Sequence, residues 1–335
     1  MKIRKKALGI TAAAVAAALV FTGCSSTGGN QANSTAPASG SEATGGGAVA
    51  DTPRLTIAMI TFEAPGDTFW DKVRAGAQAA AAKDNIDLKY SSDPQVAGQS
   101  TLIQNAVDSK VDGIAVAMAN PDGLAPAIKV ATDAGIPVVG FNSGITKAFD
   151  IGALMFFGSD EQLAGESVGA KIAAAGGKHP LCVIMEQGQI ALETRCAGVK
   201  SAVPATENIN VEGTDMPSVV SSVNAKLQQD PSIDWVVTLG APFAMGVLDT
   251  VSGQGRKLAT FDLNKDAAKA IQDGKIEFSV DQQPYLQGYQ SVDNLWLYKT
   301  NANVLGGGKP VLTGPSIVDK SNIDAIAGYA ANNTR

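Results

Sequence analysis

The chain is poor in aromatics, histidine and cysteine, and each shortage narrows what it can do. Aromatics are 5% of 335 residues. The core must therefore be built from Ala, Val, Ile and Leu, which suits strands buried on both faces beneath Ala-rich helices. The single histidine, His179, rules out a multi-histidine metal site, and Cys24, Cys182 and Cys196 lack CxxC spacing. His179 sits in Gly-Gly-Lys-His-Pro, a turn before a strand, and reads as an exposed loop residue. No metal and no cofactor are expected. The net charge of −6 comes without a basic cluster beyond the first six residues, so nucleic acid is a poor partner. No GxxxxGK[ST], GxSxG or HExxH is present; Gly308-Lys309 is followed by Pro310. Asp262-Leu263-Asn264-Lys265-Asp266 imitates the start of a calcium loop, but Ala267 replaces the required glycine and Asp273 the closing glutamate. Glu186 and Glu193 would make a glycosidase pair only across one cleft, and nothing in the sequence puts them there.

Among the features present, the start of the chain carries the most information. Lys2, Arg4, Lys5 and Lys6 precede a weakly apolar run, Ala7–Phe21, which ends at Thr22-Gly23-Cys24. A cationic, apolar, small-residue order reads as an export signal. The run is shorter than the roughly 20 residues a membrane span needs. The Gly23-Cys24 junction resembles a bacterial lipoprotein cleavage site, with Cys24 as the lipidated residue and Phe21 where that pattern usually has Leu. Residues 1–24 are then the signal peptide. Its removal takes four basic side chains and leaves the mature chain more acidic. Export also permits disulfides, which makes Cys182 and Cys196 a natural pair, with two buried thiols as the alternative. Their bridge would close a loop of about 15 residues and contribute about 3 kcal/mol.

Residues 25–52 are rich in Ser, Gly, Ala, Thr and Asn and read as a flexible tether. After Pro53, apolar runs alternate with Ala-rich amphipathic stretches. Strands are expected at Leu55–Ile60, Asp87–Tyr90, Gly113–Met118, Pro137–Phe141 and Leu154–Phe157. A second series is expected at Leu181–Met185, Ile209–Glu212, Trp235–Leu239, Leu258–Phe261 and Glu277–Val280. Helical patterns fall near Phe69–Lys83, Ala97–Ser109, Gly123–Ala134, Gln162–Ala175, Val219–Gln229, Phe243–Ser252, Ala267–Asp273 and Leu286–Thr300. Alternation of this kind argues parallel sheets with right-handed crossovers. Ten strands would make one open sheet unusually wide, so two doubly wound α/β lobes are expected.

Ligands of open parallel sheets bind past the C-terminal strand ends. After the first strand come Asp67, Phe69 and Trp70: a carboxylate for hydroxyls and rings for the C–H face of a sugar. The plainer reading is a helix cap and core packing. Asn120, Asn142, Asp262 and Gln282 follow four other strands. Each alone is a turn residue, but their recurrence is more specific. Arg195 precedes Cys196, so a bridge would pin its guanidinium, a rigid fork suited to vicinal hydroxyls, beside a strand end.

Together with Gly66-Asp67-Thr68-Phe69-Trp70, the segments Val111-Asp112-Gly113-Ile114, Asn120-Pro121-Asp122 and Ala134-Gly135-Ile136-Pro137-Val138-Val139 form a pattern. Gly158-Ser159-Asp160, Ala164-Gly165, Phe261-Asp262, Asp273-Gly274-Lys275-Ile276 and Gln282-Gln283-Pro284 extend it. The pattern resembles the type I periplasmic sugar-binding proteins, the ribose-binding family of ABC-transporter receptors, from about Leu55 to Asp319. The resemblance implies that Asp67, Phe69, Trp70, Asn120, Asn142, Arg195, Asp262 and Gln282 contact the ligand. Where the family has a polar residue, this chain has Gly240-Ala241-Pro242, and Asn142-Ser143 replaces a frequent Asp-Arg. One arginine fewer turns the expectation from ribose alone toward a hexose or a cyclitol such as inositol.

The resemblance further implies a three-segment hinge. Lobe 1 would be 53–157 with 284–312, and lobe 2 would be 158–283 with 313–335. The expected protein is a monomeric, lipid-anchored, extracytoplasmic receptor. It is not an enzyme, and it passes a small neutral sugar or polyol to ABC permease subunits, touching the membrane through its anchor only. A sensory receptor of the same fold is the rival reading, and an exported glycoside hydrolase a more distant one.

Overall fold

The computed structural model describes residues 49–63 and 67–335. The signal peptide, Cys24 and most of the tether lie outside the described residues. Among the described residues no helix is long and apolar enough to cross a membrane.

Two six-stranded sheets organise the described residues. The first is built from β1 (Leu55–Thr61), β2 (Ile86–Ser92), β3 (Gly113–Ala117), β4 (Val138–Asn142) and β5 (Met155–Ser159), interleaved with α1 (Thr68–Lys83), α2 (Val96–Asp108) and α3 (Pro121–Asp133). Helix α4 (Glu161–Ala174) leads into the second, with β6 (Pro180–Ile184), α5 (Ile190–Ala202), β7 (Glu207–Asn210), α6 (Met216–Gln229), β8 (Trp235–Thr238), α7 (Ala241–Gly253), β9 (Lys257–Phe261), α8 (Lys265–Gln272) and β10 (Phe278–Asp281). The chain then returns as α9 (Pro284–Asn301), β11 (Val311–Gly314), β12 (Ser316–Asp319) and α10 (Ile323–Ala331). Strand order is β11-β5-β4-β3-β1-β2 in one sheet and β12-β10-β9-β8-β6-β7 in the other. The chain therefore passes between sheets after Ser159, after Asp281 and at Pro315.

Strands β3, β4, β5 and β6 are buried at every residue, which explains why continuous apolar runs mark them. Strand β12 pairs antiparallel with β10, a departure from the all-parallel expectation. Its cause is geometric. Every parallel strand ends at the crevice between the sheets, so a strand that continues across Pro315 starts there and must run the other way.

Close helix pairs set the crevice walls. A methyl group at Gly76 of α1 would overlap the Tyr285 carbonyl of α9, and one at Gly165 of α4 would overlap the Arg195 carbonyl of α5. Helices α1 and α5, which carry expected site residues, are thus seated backbone to backbone. The last residues of the expected tether are also fixed. The Ala50 amide donates to the Lys83 carbonyl at 2.9 Å, and Trp296 Nε1 to Thr52 Oγ1 at 3.1 Å.

Candidate functional site

The strand ends of both sheets face a small cavity. Asp67, Phe69, Trp70 and Asn142 line it from the first lobe, and Arg195, Asp262 and Gln282 from the second lobe and the hinge.

The first-lobe wall is the start of α1. Asp67 caps the helix, its Oδ1 accepting from the Phe69 amide at 2.9 Å. Its carboxyl is pushed above the usual range by burial, with that amide bond opposing. Phe62 and Phe69 meet the Trp70 ring edge-on, with centroids 4.9 and 5.1 Å away. Trp70 is only 2% exposed. The cap and core reading holds, and the same residues also form part of the cavity wall.

The second-lobe wall centres on Arg195. Glu161 holds its guanidinium at two points, Nε donating to Oε2 at 2.6 Å and Nη2 to Oε1 at 3.2 Å. Nη1 donates to the Leu239 carbonyl at 3.4 Å, and the Phe261 ring centroid lies 4.7 Å from the guanidinium. Burial works against the Arg195 charge, but Glu161, with Asp262 and Asp67, offsets it and keeps the group above its ordinary range. Cys182 and Cys196 are bonded, with Cα atoms 5.8 Å apart, which ties the Arg195 turn of α5 to β6.

Asn142 and Asp262 occupy equivalent positions at the ends of β4 and β9, and both adopt left-handed backbone (φ 62° and 58°). Such residues cost about 1–3 kcal/mol each and concentrate at functional sites. A chain of hydrogen bonds joins them through the hinge. Asn142 Nδ2 donates to Gln287 Oε1 (3.4 Å), Gln287 Nε2 to the Gln282 carbonyl (3.2 Å), and Gln282 Nε2 to Asp262 Oδ2 (2.8 Å). Gln282 Oε1 is buried without a partner. Burial raises the Asp262 carboxyl to about 7, with Arg195 opposing and Asp281 adding to the rise.

Asn120 is the exception among the expected site residues. Its side chain is exposed, and its Oδ1 accepts from the Gly123 amide at 2.9 Å to cap α3. It does not line the cavity. His179 sits in the loop before β6 as expected, but it is half-buried and both ring nitrogens are engaged, with Ser232 Oγ at 2.7 Å and Glu207 Oε1 at 3.0 Å. His179, Glu207 and Asp230 lie close enough to share an ion. Each is already engaged elsewhere: Lys226 pairs with Glu207 at 2.7 Å, and Ser232 Oγ donates to Asp230 at 2.6 Å.

Sequence reasoning missed Glu186 as a cleft residue, although it follows β6 as Glu63 follows β1. Glu63 is spent inside its own lobe on Arg74 (2.6 Å) and Tyr90 (2.9 Å). Glu186 lines the cavity and is raised to about 7, first by burial and then by Asp67 across the crevice. Lys72 does not line the cavity; it is buried on α1, where burial pulls its ammonium below the usual range and Asp262 and Asp67 support its charge. Glu193, the other half of the imagined glycosidase pair, is not part of the lining.

Aromatic edges, carboxylates, an amide and a braced guanidinium can hold a hydroxyl-rich ring through many directional bonds. A family model for the periplasmic binding protein domain matches residues 57–302. A crystal structure of a carbohydrate transporter from Acidothermus cellulolyticus, in complex with myo-inositol, is 53% identical, with a TM-score of 0.83 over 84% of this chain and all of that one. The ribose import binding protein of Salmonella typhimurium is 26% identical, over 71% of this chain and 82% of its own length. The xylose/arabinose-binding protein of Sulfolobus acidocaldarius is 24% identical, over 71% of this chain and 65% of its own length. The chain belongs to the periplasmic binding protein family and is a solute-binding protein, not an enzyme.

Proposed function

We propose that this chain is a lipid-anchored extracytoplasmic receptor that captures a neutral cyclitol or monosaccharide and delivers it to an ABC permease. The observation that carries the reading is the polar set Asp67, Asn142, Arg195, Asp262 and Gln282 gathered around one cavity beside aromatic edges. Fixed polar partners of this kind reject analogues that leave them unpaired. Likeness to a protein crystallised with myo-inositol favours a cyclitol, and the missing second arginine agrees with that. Lobe 1 is about 53–159 with 284–314 and lobe 2 about 160–283 with 315–335, the first and third crossings falling two residues later than the sequence suggests. They close by a hinge, a motion that general accounts of domain closure illustrate with periplasmic binding proteins. Residues 1–24 are removed as a signal, Cys24 carries lipid, the Cys182–Cys196 bridge forms after export, and the receptor acts as a monomer.

A thermal-shift panel of myo-inositol, D-ribose, D-glucose and D-galactose tests this. Ligand at a hundred times its Kd adds about 2.7 kcal/mol to the folded state. At least one of the four raises the Tm by several degrees. No shift with any of them overturns the reading.

A further inference from the structure

A second cavity opens from the first. Asp67, Met185, Glu186 and Pro242 bound both. It is the roomier of the two. It lies over the ends of β6 and β7 and the start of α7, and among the described residues lobe 1 gives it Asp67 alone. Phe243 and Met216, both half-buried, supply an apolar wall, and Asn210, with no side-chain partner among the described residues, supplies an amide. A ring beside an amide is what seats a sugar. Among the described residues no lysine or arginine lines this cavity, whereas Asp67, Glu186 and Glu212 do. At the junction, the Glu186 carboxylate has no protein hydrogen-bond partner among the described residues and can accept hydroxyls from either side.

Building on the reading of the inner cavity as a polyol site, we propose that the cleft has two chambers. It takes a ring polyol that carries a second sugar ring, the first ring in the inner chamber and the second beside Phe243, and it rejects phosphorylated polyols. Glu212, its carboxyl held below the usual range by hydrogen bonds from Thr214, and the partly ionised Glu186 disfavour a phosphate while still accepting hydroxyl donors.

Calorimetric titration of the full chain with two matched pairs tests this: myo-inositol against galactinol, and D-glucose against maltose. The inner-chamber ring of the better pair binds, and its two-ring partner binds within threefold or more tightly. In Phe243→Ala and, separately, the exposed Asn210→Ala, the ratio of the two-ring to the one-ring Kd rises at least fivefold. myo-Inositol 1-phosphate binds at least tenfold more weakly than myo-inositol. A one-ring ligand that binds while its two-ring partner is more than tenfold weaker overturns the second chamber alone. An unchanged ratio in both variants, or tight binding of the phosphate, does the same. Silence from all four neutral compounds overturns the polyol reading and this inference with it.

Discussion

Replacing Glu161 with alanine strands the Arg195 guanidinium in the second lobe. Both side chains are 4% exposed and joined at two points, with a shortest N–O distance of 2.6 Å. Removing one partner of a buried ion pair costs about 3–5 kcal/mol, because the remaining charge is neither paired nor solvated. Unfolding entropy near 2.1 cal/mol/K per residue, over roughly 280 folded residues, converts that into a Tm loss of about 5–8 °C. Urea denaturation and differential scanning calorimetry of the ligand-free protein read this directly. Glu161→Gln keeps the shape and one acceptor and loses less. The double change Glu161→Leu with Arg195→Met removes both charges and recovers most of the stability, since apolar replacement of a buried pair is often neutral or better. Affinity separates from stability in this series: both Glu161→Ala and the double variant lose ligand, one by misplacing the guanidinium and the other by deleting it. A Glu161→Ala protein within 1 °C of the parent, or a double variant as unstable as the single, refutes the reasoning.

Asn120→Ala loses about 1 kcal/mol through its cap and leaves ligand affinity within twofold by calorimetry; a tenfold loss would return Asn120 to the site. As far as Asp262 is concerned, the ligand-free protein is most stable at acidic pH. Its folded pKa of about 7 lies above the unfolded value, so its contribution is complete below about pH 4 and is lost as pH rises through 7. Thermal melts from pH 5 to 8 should fall less steeply in Asp262→Asn than in the parent. Replacing Cys182 and Cys196 together by alanine costs about 3 kcal/mol, from the loop the bridge closes, as read by the shift of the urea midpoint.

Most strands were legible because their apolar runs are uninterrupted, as at Gly113–Ala117 and Val138–Asn142. Edge strand β7 was placed two residues late. Its residues alternate between half-buried and exposed, so the apolar run at Ile209 was a poor guide. Helix α5 was not foreseen because its inner face buries Arg195 and Gly198, which no apolar period marks. Strands β11 and β12 hide in a short segment punctuated by Pro310 and Pro315, too brief to show a period. Within the site, reading the residues after each strand found Asn142 and Asp262. The same rule applied to β6 would have found Glu186. Glu161 was not legible, because its partner lies 34 positions away and only the packing of α4 on α5 brings them together.

The most direct measurement is calorimetric titration of myo-inositol into the full chain and into Asp262→Ala at pH 7. One saturable site in the parent, weakened at least a hundredfold in the variant, is the outcome the account requires. Equal affinity in both proteins would contradict it.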